Sequence, residues 1–269
     1  MRHKKREMVK RDRKGIYVLP NMFTSASLFG GFYAIIAAIQ GRFVAASTAI
    51  LISCVFDLLD GKVARFTGTE SDFGKEYDSL SDLVAFGVAP GVLAFQWALE
   101  PLGRLGWLAC FTYVICGALR LARFNIQKEI VAPNRFKGLP IPAAAGSIAS
   151  LILFTDAIGW IPESPHIFVF ALVYVLSFLM VSTIDYASFK ELELKKQKPF
   201  SVLVGTILIC IVITYRPKIL LFLMLASYLV SGPIQALFRH RRVETAIKKK
   251  ETDEPAAGNQ VAFDENHRR

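Results

Sequence analysis

Long stretches without charged residues dominate this chain. Eight of them, between 14 and 27 residues long, contain no Asp, Glu, Lys or Arg: 15–41, 43–56, 83–99, 105–119, 138–155, 164–184, 199–215 and 219–238. A helix that crosses the hydrocarbon core of a bilayer needs about 20 apolar residues, with about 17 acceptable. The sequence therefore predicts an all-α integral membrane protein with about eight transmembrane helices. The runs 43–56 and 105–119 reach that length only if their helices continue into the charged flanks.

Composition agrees with this class, since 53% of the residues are hydrophobic and only 20% are charged. An ordinary soluble enzyme is excluded. The four cysteines fall inside the apolar runs without a CxxC pair, so a disulfide framework or zinc site is not expected.

Positive charge is distributed unevenly between the two sides of this predicted bundle. With both termini in the cytoplasm, 28 of the 32 lysines and arginines lie on the cytoplasmic side, as the positive-inside rule requires. We thus expect a basic cytoplasmic tail over 1–15, a multi-pass domain over 16–238 in the cell membrane, and a polar, disordered cytoplasmic tail over 239–269. The net charge of +10 favours contact with anionic membrane lipids. Nucleic-acid binding is not expected, because the basic tails lack interleaved aromatic residues.

The segment 57–82 concentrates acidic residues on the side where positive charge is expected. It holds seven of them, and four form two pairs: Asp57 with Asp60, and Asp78 with Asp82. Spacings of three and four residues place each pair on one face of a helix, where like charges repel. A charge inside the membrane also costs about 2.5–3.5 kcal/mol at the helix centre. Four such carboxylates predict a bound cation.

The residue types around the acids indicate which cation and which substrate. Carboxylate oxygens without a nearby Cys or His suit Mg²⁺ or Mn²⁺, and two such ions would balance four carboxylates. Gly61 and Gly74 would let a backbone or phosphate approach closely, and the fork of donors on Arg65 suits a phosphate oxygen. The segment therefore predicts a site for a pyrophosphate compound at the cytoplasmic face.

The spacing Asp57-x2-Asp60-Gly61-x2-Ala64-Arg65-x8-Gly74-x3-Asp78-x3-Asp82 resembles, at every fixed position, the signature of the CDP-alcohol phosphotransferase family. Members of this family are membrane enzymes of phospholipid synthesis. The resemblance implies a six-helix core with its active site at the cytoplasmic ends of helices two and three, here followed by two further C-terminal helices. It also implies a homodimer.

Roles for individual residues follow from the same resemblance. Asp57, Asp60, Asp78 and Asp82 would bind two divalent cations, and Asp82 would also act as the catalytic base. CDP-diacylglycerol would be bound by Pro20, Asn21, Met22, Phe23, Gly61, Arg65 and Ser71.

Four further segments resemble family members that use L-serine as the acceptor: 20–24, 81–90, 119–125 and 137–144. They imply transfer of a phosphatidyl group to the serine hydroxyl, giving phosphatidylserine and CMP. The basic and polar residues available to bind the acceptor are Arg120, Arg123, Asn125, Arg135 and Lys137. Two alternatives remain: the same chemistry on glycerol 3-phosphate or inositol phosphate, and a divalent-cation transporter that uses the acidic cluster as its ion site.

Overall fold

A computed structural model describes residues 18–68, 71–127, 136–159, 165–186 and 216–253. Seven helices follow one another through these ranges: α1 (Val18–Ile39), α2 (Phe43–Thr67), α3 (Asp72–Leu102), α4 (Arg104–Gln127), α5 (Ile141–Ile158), α6 (Pro165–Val181) and α7 (Pro217–Asp253). Two short antiparallel strands, β1 (Phe136–Lys137) and β2 (Asp185–Tyr186), pair next to the bundle. The predicted helix over 199–215 and the predicted tail over 1–15 lie outside the described residues.

The predicted all-α membrane fold is confirmed. Six of the described helices are long and apolar enough to cross a membrane, and α6 is a shorter apolar helix. The two shortest uncharged runs do continue into their charged flanks, because α2 extends to Thr67 and α4 to Gln127. Both extensions carry predicted site residues, including Asp57, Asp60 and Arg120.

The C-terminal tail was expected to be disordered from residue 239, and this is wrong for its first part. Helix α7 continues to Asp253, with Pro233 inside it. The reason is local composition: residues 243–253 contain mostly good helix formers. Residues 254–269 lie outside the described ranges.

Helices α1 and α2 form a closely packed antiparallel pair, because small residues line their contact. The buried cluster there includes Ala34, Ala37 and Ala46. Ser27 and Ser53 bond reciprocally across the pair: each hydroxyl donates to the other residue's carbonyl, at 3.2 and 3.0 Å. Gly31 faces α3, where a Cβ would stand 2.5 Å from the Cα of Ala85. Close packing of α1 therefore fixes α2 and α3, which carry the acids.

Helix α3 is irregular directly after Asp82. Residues Leu83–Val88 form a π-helical turn, and Pro90 follows in the next α-helical segment. A proline inside a helix has no N–H to donate to the carbonyl four residues earlier, which here belongs to Phe86. The buried Tyr113 hydroxyl of α4 donates to this carbonyl at 3.0 Å. A side chain thus compensates the break and ties α4 to α3 next to Asp82.

Contacts between helix ends show which termini share a side of the bundle. At one end, Lys218 of α7 bonds Asp156 of α5 at 2.6 Å. At the other end, Leu139 N–H donates to the carbonyl of Leu179 and Gly138 N–H to that of Ile184, both at 2.9 Å. Helices α5, α6 and α7 thus run between the same two ends of the bundle.

Candidate active site

The four predicted metal ligands converge although they come from two helices. Asp57 and Asp60 lie one turn apart on α2, and Asp78 and Asp82 lie one turn apart on α3. Carboxylate oxygens of Asp57, Asp60 and Asp78 lie within 4.8 Å of one another. The Asp82 carboxyl lies close to those of Asp57 and Asp78. The structure therefore brings together all four acids.

Sequence reasoning missed a polar side chain of α1 that takes part in this cluster. Thr24 is buried, and its hydroxyl donates to Oδ2 of Asp60 at 2.9 Å. The Ser81 hydroxyl donates in turn to the Thr24 carbonyl at 3.1 Å. Thr24 thus orients Asp60 while Ser81 connects α3 to α1. The sequence signal that could have identified it is the segment 20–24, which ends at Thr24 and resembles serine-using family members.

The geometry of the cluster fits a divalent cation. Asp60 is only 5% exposed, so water screens it weakly, and two like charges about 4 Å apart repel by about 4 kcal/mol at an effective dielectric constant near 20. Carboxylate oxygens are hard ligands of the kind that Mg²⁺ and Mn²⁺ prefer. Three converging carboxylates, one of them fixed by Thr24, can hold such an ion, and Asp82 stands beside them.

The signature residues after Asp60 lie along one edge of the cluster. Gly61 has open space where a side chain would stand, with only Arg65 Nη2 near, 3.9 Å from an ideal Cβ. Packing within the described protein therefore does not require glycine at position 61. A ligand that approaches the backbone closely would require it. Arg65 Nε donates to the Gly61 carbonyl at 2.8 Å, and its side chain is exposed. The guanidinium is thus held beside the backbone of Gly61.

Ser71 has a structural role in addition to its predicted one. It is the N-cap of α3, and its hydroxyl accepts from the Gly74 N–H at 3.0 Å. An N-cap serine satisfies a backbone donor that has no partner within the helix. Ser71 therefore fixes the start of the helix that carries Asp78 and Asp82, and direct contact with a substrate stays a prediction.

The predicted binding segment of α1 lies against the same region. Asn21 Oδ1 lies 3.6 Å from the position that a Cβ on Gly74 would take, and the Phe23 ring packs against Phe56 with centroids 6.4 Å apart. Met22 is exposed, and Pro20 belongs to the first turn of α1. The start of α1 therefore lies beside the acidic cluster and next to the first turn of α3.

The structure separates the five predicted acceptor residues. The Arg120 guanidinium lies over the Phe124 ring at 6.0 Å and within electrostatic range of Asp82. Arg123 Nη1 donates instead to the Val181 carbonyl at the end of α6, at 3.3 Å, and Asn125 Nδ2 donates to the Ser79 hydroxyl at 2.9 Å. Lys137 pairs through its backbone with Asp185. Arg135 lies outside the described residues.

Comparisons with known proteins cover most of the chain. The family described as CDP-alcohol phosphatidyltransferase matches residues 17–184. A CDP-diacylglycerol–serine O-phosphatidyltransferase of Helicobacter pylori is 37% identical over 83% of this chain and 92% of its own length. A protein of the same name from Bacillus subtilis is 37% identical over 64% of this chain and 92% of its own length. An archaetidylserine synthase of Methanothermobacter thermautotrophicus is 38% identical over 62% and 69%.

Proposed function

The chain belongs to the CDP-alcohol phosphatidyltransferase family, and from this premise we propose that it transfers a phosphatidyl group from CDP-diacylglycerol to L-serine. The products are phosphatidylserine and CMP. The observation that supports serine as the acceptor is the identity of 37%, over 83% of the chain, to a CDP-diacylglycerol–serine O-phosphatidyltransferase. The four converging aspartates support the phosphoryl chemistry.

Asp57, Asp60, Asp78 and Asp82 would hold two divalent cations, Mg²⁺ or Mn²⁺. When bound, such ions neutralise the charge of a pyrophosphate group and the charge that develops during phosphoryl transfer. Thr24 keeps the Asp60 carboxylate oriented toward the other acids. The open space at Gly61 and the guanidinium of Arg65 would accommodate the diphosphate of CDP-diacylglycerol. Asn21, Met22, Phe23, Pro20 and Ser71 would border the same substrate.

Asp82 would take the proton of the acceptor. The serine hydroxyl loses this proton as its oxygen bonds to the phosphorus of the phosphatidyl group, and the bond from that phosphorus to the CMP oxygen breaks. CMP leaves with the electron pair of that bond. A carboxylate acting as general base in such a step contributes about 10²–10⁴-fold to the rate.

The charge distribution supports an orientation of the protein in the membrane. We place both termini and the aspartates at the cytoplasmic face of the cell membrane, because this orientation puts 28 of the 32 lysines and arginines inside. Phe29 and Phe32 of α1 are exposed, so this face would contact lipid or a second copy of the chain in a homodimer.

An acceptor screen tests the proposed function. Purified protein in detergent–lipid micelles with CDP-diacylglycerol and Mg²⁺ or Mn²⁺ is expected to release CMP with L-serine and to do so poorly with glycerol 3-phosphate or inositol phosphate. EDTA is expected to reduce the release to background, because four carboxylates without a cation repel both one another and the diphosphate. Release of CMP with glycerol 3-phosphate and not with L-serine would contradict the assignment.

Arg120 and Arg123 give a matched pair of variants for the acceptor site. Lysine keeps the charge but loses the planar fork that binds a carboxylate. Arg120→Lys is expected to lower kcat/KM for L-serine about 10- to 100-fold. Arg123→Lys is expected to change it less than about threefold, because Arg123 donates to the end of α6. Initial rates at varied serine concentration measure both, and equal losses would argue against acceptor binding by Arg120.

A further inference from the structure

Arg120 has a donor that the described protein leaves unused. Its Nε is buried and makes no hydrogen bond to any described residue. One turn earlier on α4, a Cβ at Gly117 would stand 2.7 Å from Cδ1 of Ile141, so Arg120 lies beside the start of α5. A buried charged donor without a partner costs more than 1–3 kcal/mol. A bound anionic group at this position would remove that cost.

Helix α7 reaches the same level of the bundle from the other side of α5. It runs antiparallel to α5: Lys218 contacts Asp156, and the Phe222 ring stacks on Phe154 at 4.5 Å. The next turn places Leu225 Cδ1 3.2 Å from the position of a Cβ on Gly146. One further turn brings Tyr228 to the level of the first residues of α5.

The first turn of α5 is also the level of the acidic cluster. Cys54 Sγ contacts the Pro142 carbonyl at 3.8 Å, and Cys54 lies one turn before Asp57 on α2. Tyr228 is half-buried and packs against the buried core of the bundle, and both Tyr228 and Asp82 lie within electrostatic range of the Arg120 guanidinium. The Arg120 guanidinium of α4 and the Tyr228 hydroxyl of α7 therefore lie near each other at the level of the acidic cluster.

Both groups can donate hydrogen bonds to a carboxylate, which is the group that distinguishes serine from simple alcohols. We propose that the Tyr228 hydroxyl binds the acceptor's carboxylate together with the Arg120 guanidinium. Helix α7, which lies beyond the family-matched residues 17–184, then completes the acceptor site. This inference rests on the proposed function, because it assigns the carboxylate of L-serine to this position.

Removing only the hydroxyl tests the proposal. Tyr228→Phe is expected to raise KM for L-serine about tenfold, the effect of losing one hydrogen bond to a charged group. We expect kcat to stay within about twofold and KM for CDP-diacylglycerol to stay unchanged. Steady-state CMP release, with each substrate varied in turn, measures these constants. An unchanged KM for L-serine, or an equal increase in KM for both substrates, would overturn the proposal.

Two control variants separate binding from packing. Tyr174→Phe removes a hydroxyl from α6, where the ring packs edge-on against Phe170, and should leave both KM values unchanged. Leu229→Ala loosens α7 beside Tyr228 without removing its hydroxyl, and should lower thermal stability without a selective effect on serine. An increase in serine KM in Leu229→Ala equal to that in Tyr228→Phe would overturn the proposal. Wild-type protein that shows no serine-dependent CMP release would instead refute the proposed function.

Discussion

Replacing Asp82 by asparagine is expected to lower serine-dependent CMP release about 1000-fold. Asparagine fills the same volume but cannot accept the proton of the acceptor hydroxyl, and a general base contributes about 10²–10⁴-fold. The Asp82 carboxyl also lies close to that of Asp57, so the substitution removes one negative charge from the cluster. Without a bound cation this charge is repelled by its neighbours. The unfolding temperature in EDTA is therefore expected to be equal to or higher than that of the wild type.

Lower activity together with an unchanged or higher unfolding temperature would identify Asp82 as a functional carboxylate. Loss of a carboxylate that only stabilises the fold would lower both activity and stability. Asp72→Asn is the matched control: Asp72 lies on the same helix, is fully exposed and pairs with Lys75 at 3.1 Å. Its substitution should leave activity within about twofold. Radiometric CMP release and thermal unfolding monitored by fluorescence measure the two properties. Activity of the Asp82 variant above about a tenth of wild type would contradict a role as base.

The acidic cluster could be predicted from the sequence because its determinants are local. Helical periodicity places Asp57 beside Asp60 and Asp78 beside Asp82, and the cost of charge near the membrane indicates a common partner. The convergence of the two pairs depends on tertiary packing. Gly31 of α1 against Ala85 of α3 is part of that packing, and the sequence alone does not identify this contact.

Residues that act across helices were harder to predict. Thr24 has no charge and no distinctive spacing to Asp60, which is 36 positions away. Among the basic residues near the end of α4, the sequence did not separate Arg120 from Arg123. The separation comes from α6, whose last carbonyls accept from Arg123 and from the backbone of Leu139. Tyr228 gave no signal, because its position depends on the register of α7 against α5.

Gly138 precedes α5, and its N–H donates to the carbonyl of Ile184, beyond the end of α6. Replacing Gly138 by alanine is expected to lower the unfolding temperature by about 10 °C. Its φ is +80°, in the left-handed region that costs other residues roughly 1–2 kcal/mol. A Cβ there would also stand 2.5 Å from the Met180 carbonyl oxygen and 3.0 Å from that of Ser182. Both are backbone atoms at the end of α6, so the contact cannot be relieved by rotating a side chain.

Gly159→Ala separates these two contributions. Gly159 has a φ of +64° but no atom within 4 Å of an added Cβ, so its substitution carries only the conformational cost and should lower the unfolding temperature by about 3–5 °C. The difference between the two variants measures the contact of Gly138 with α6.

Because Arg123 and Leu139 donate to the same end of α6, moving that helix end would shift the start of α5 and the neighbouring Arg120. Gly138→Ala should therefore also raise KM for L-serine, whereas Gly159→Ala, at the opposite end of α5, should not. Equal thermal losses in the two variants would show that the packing at Gly138 tolerates a methyl group.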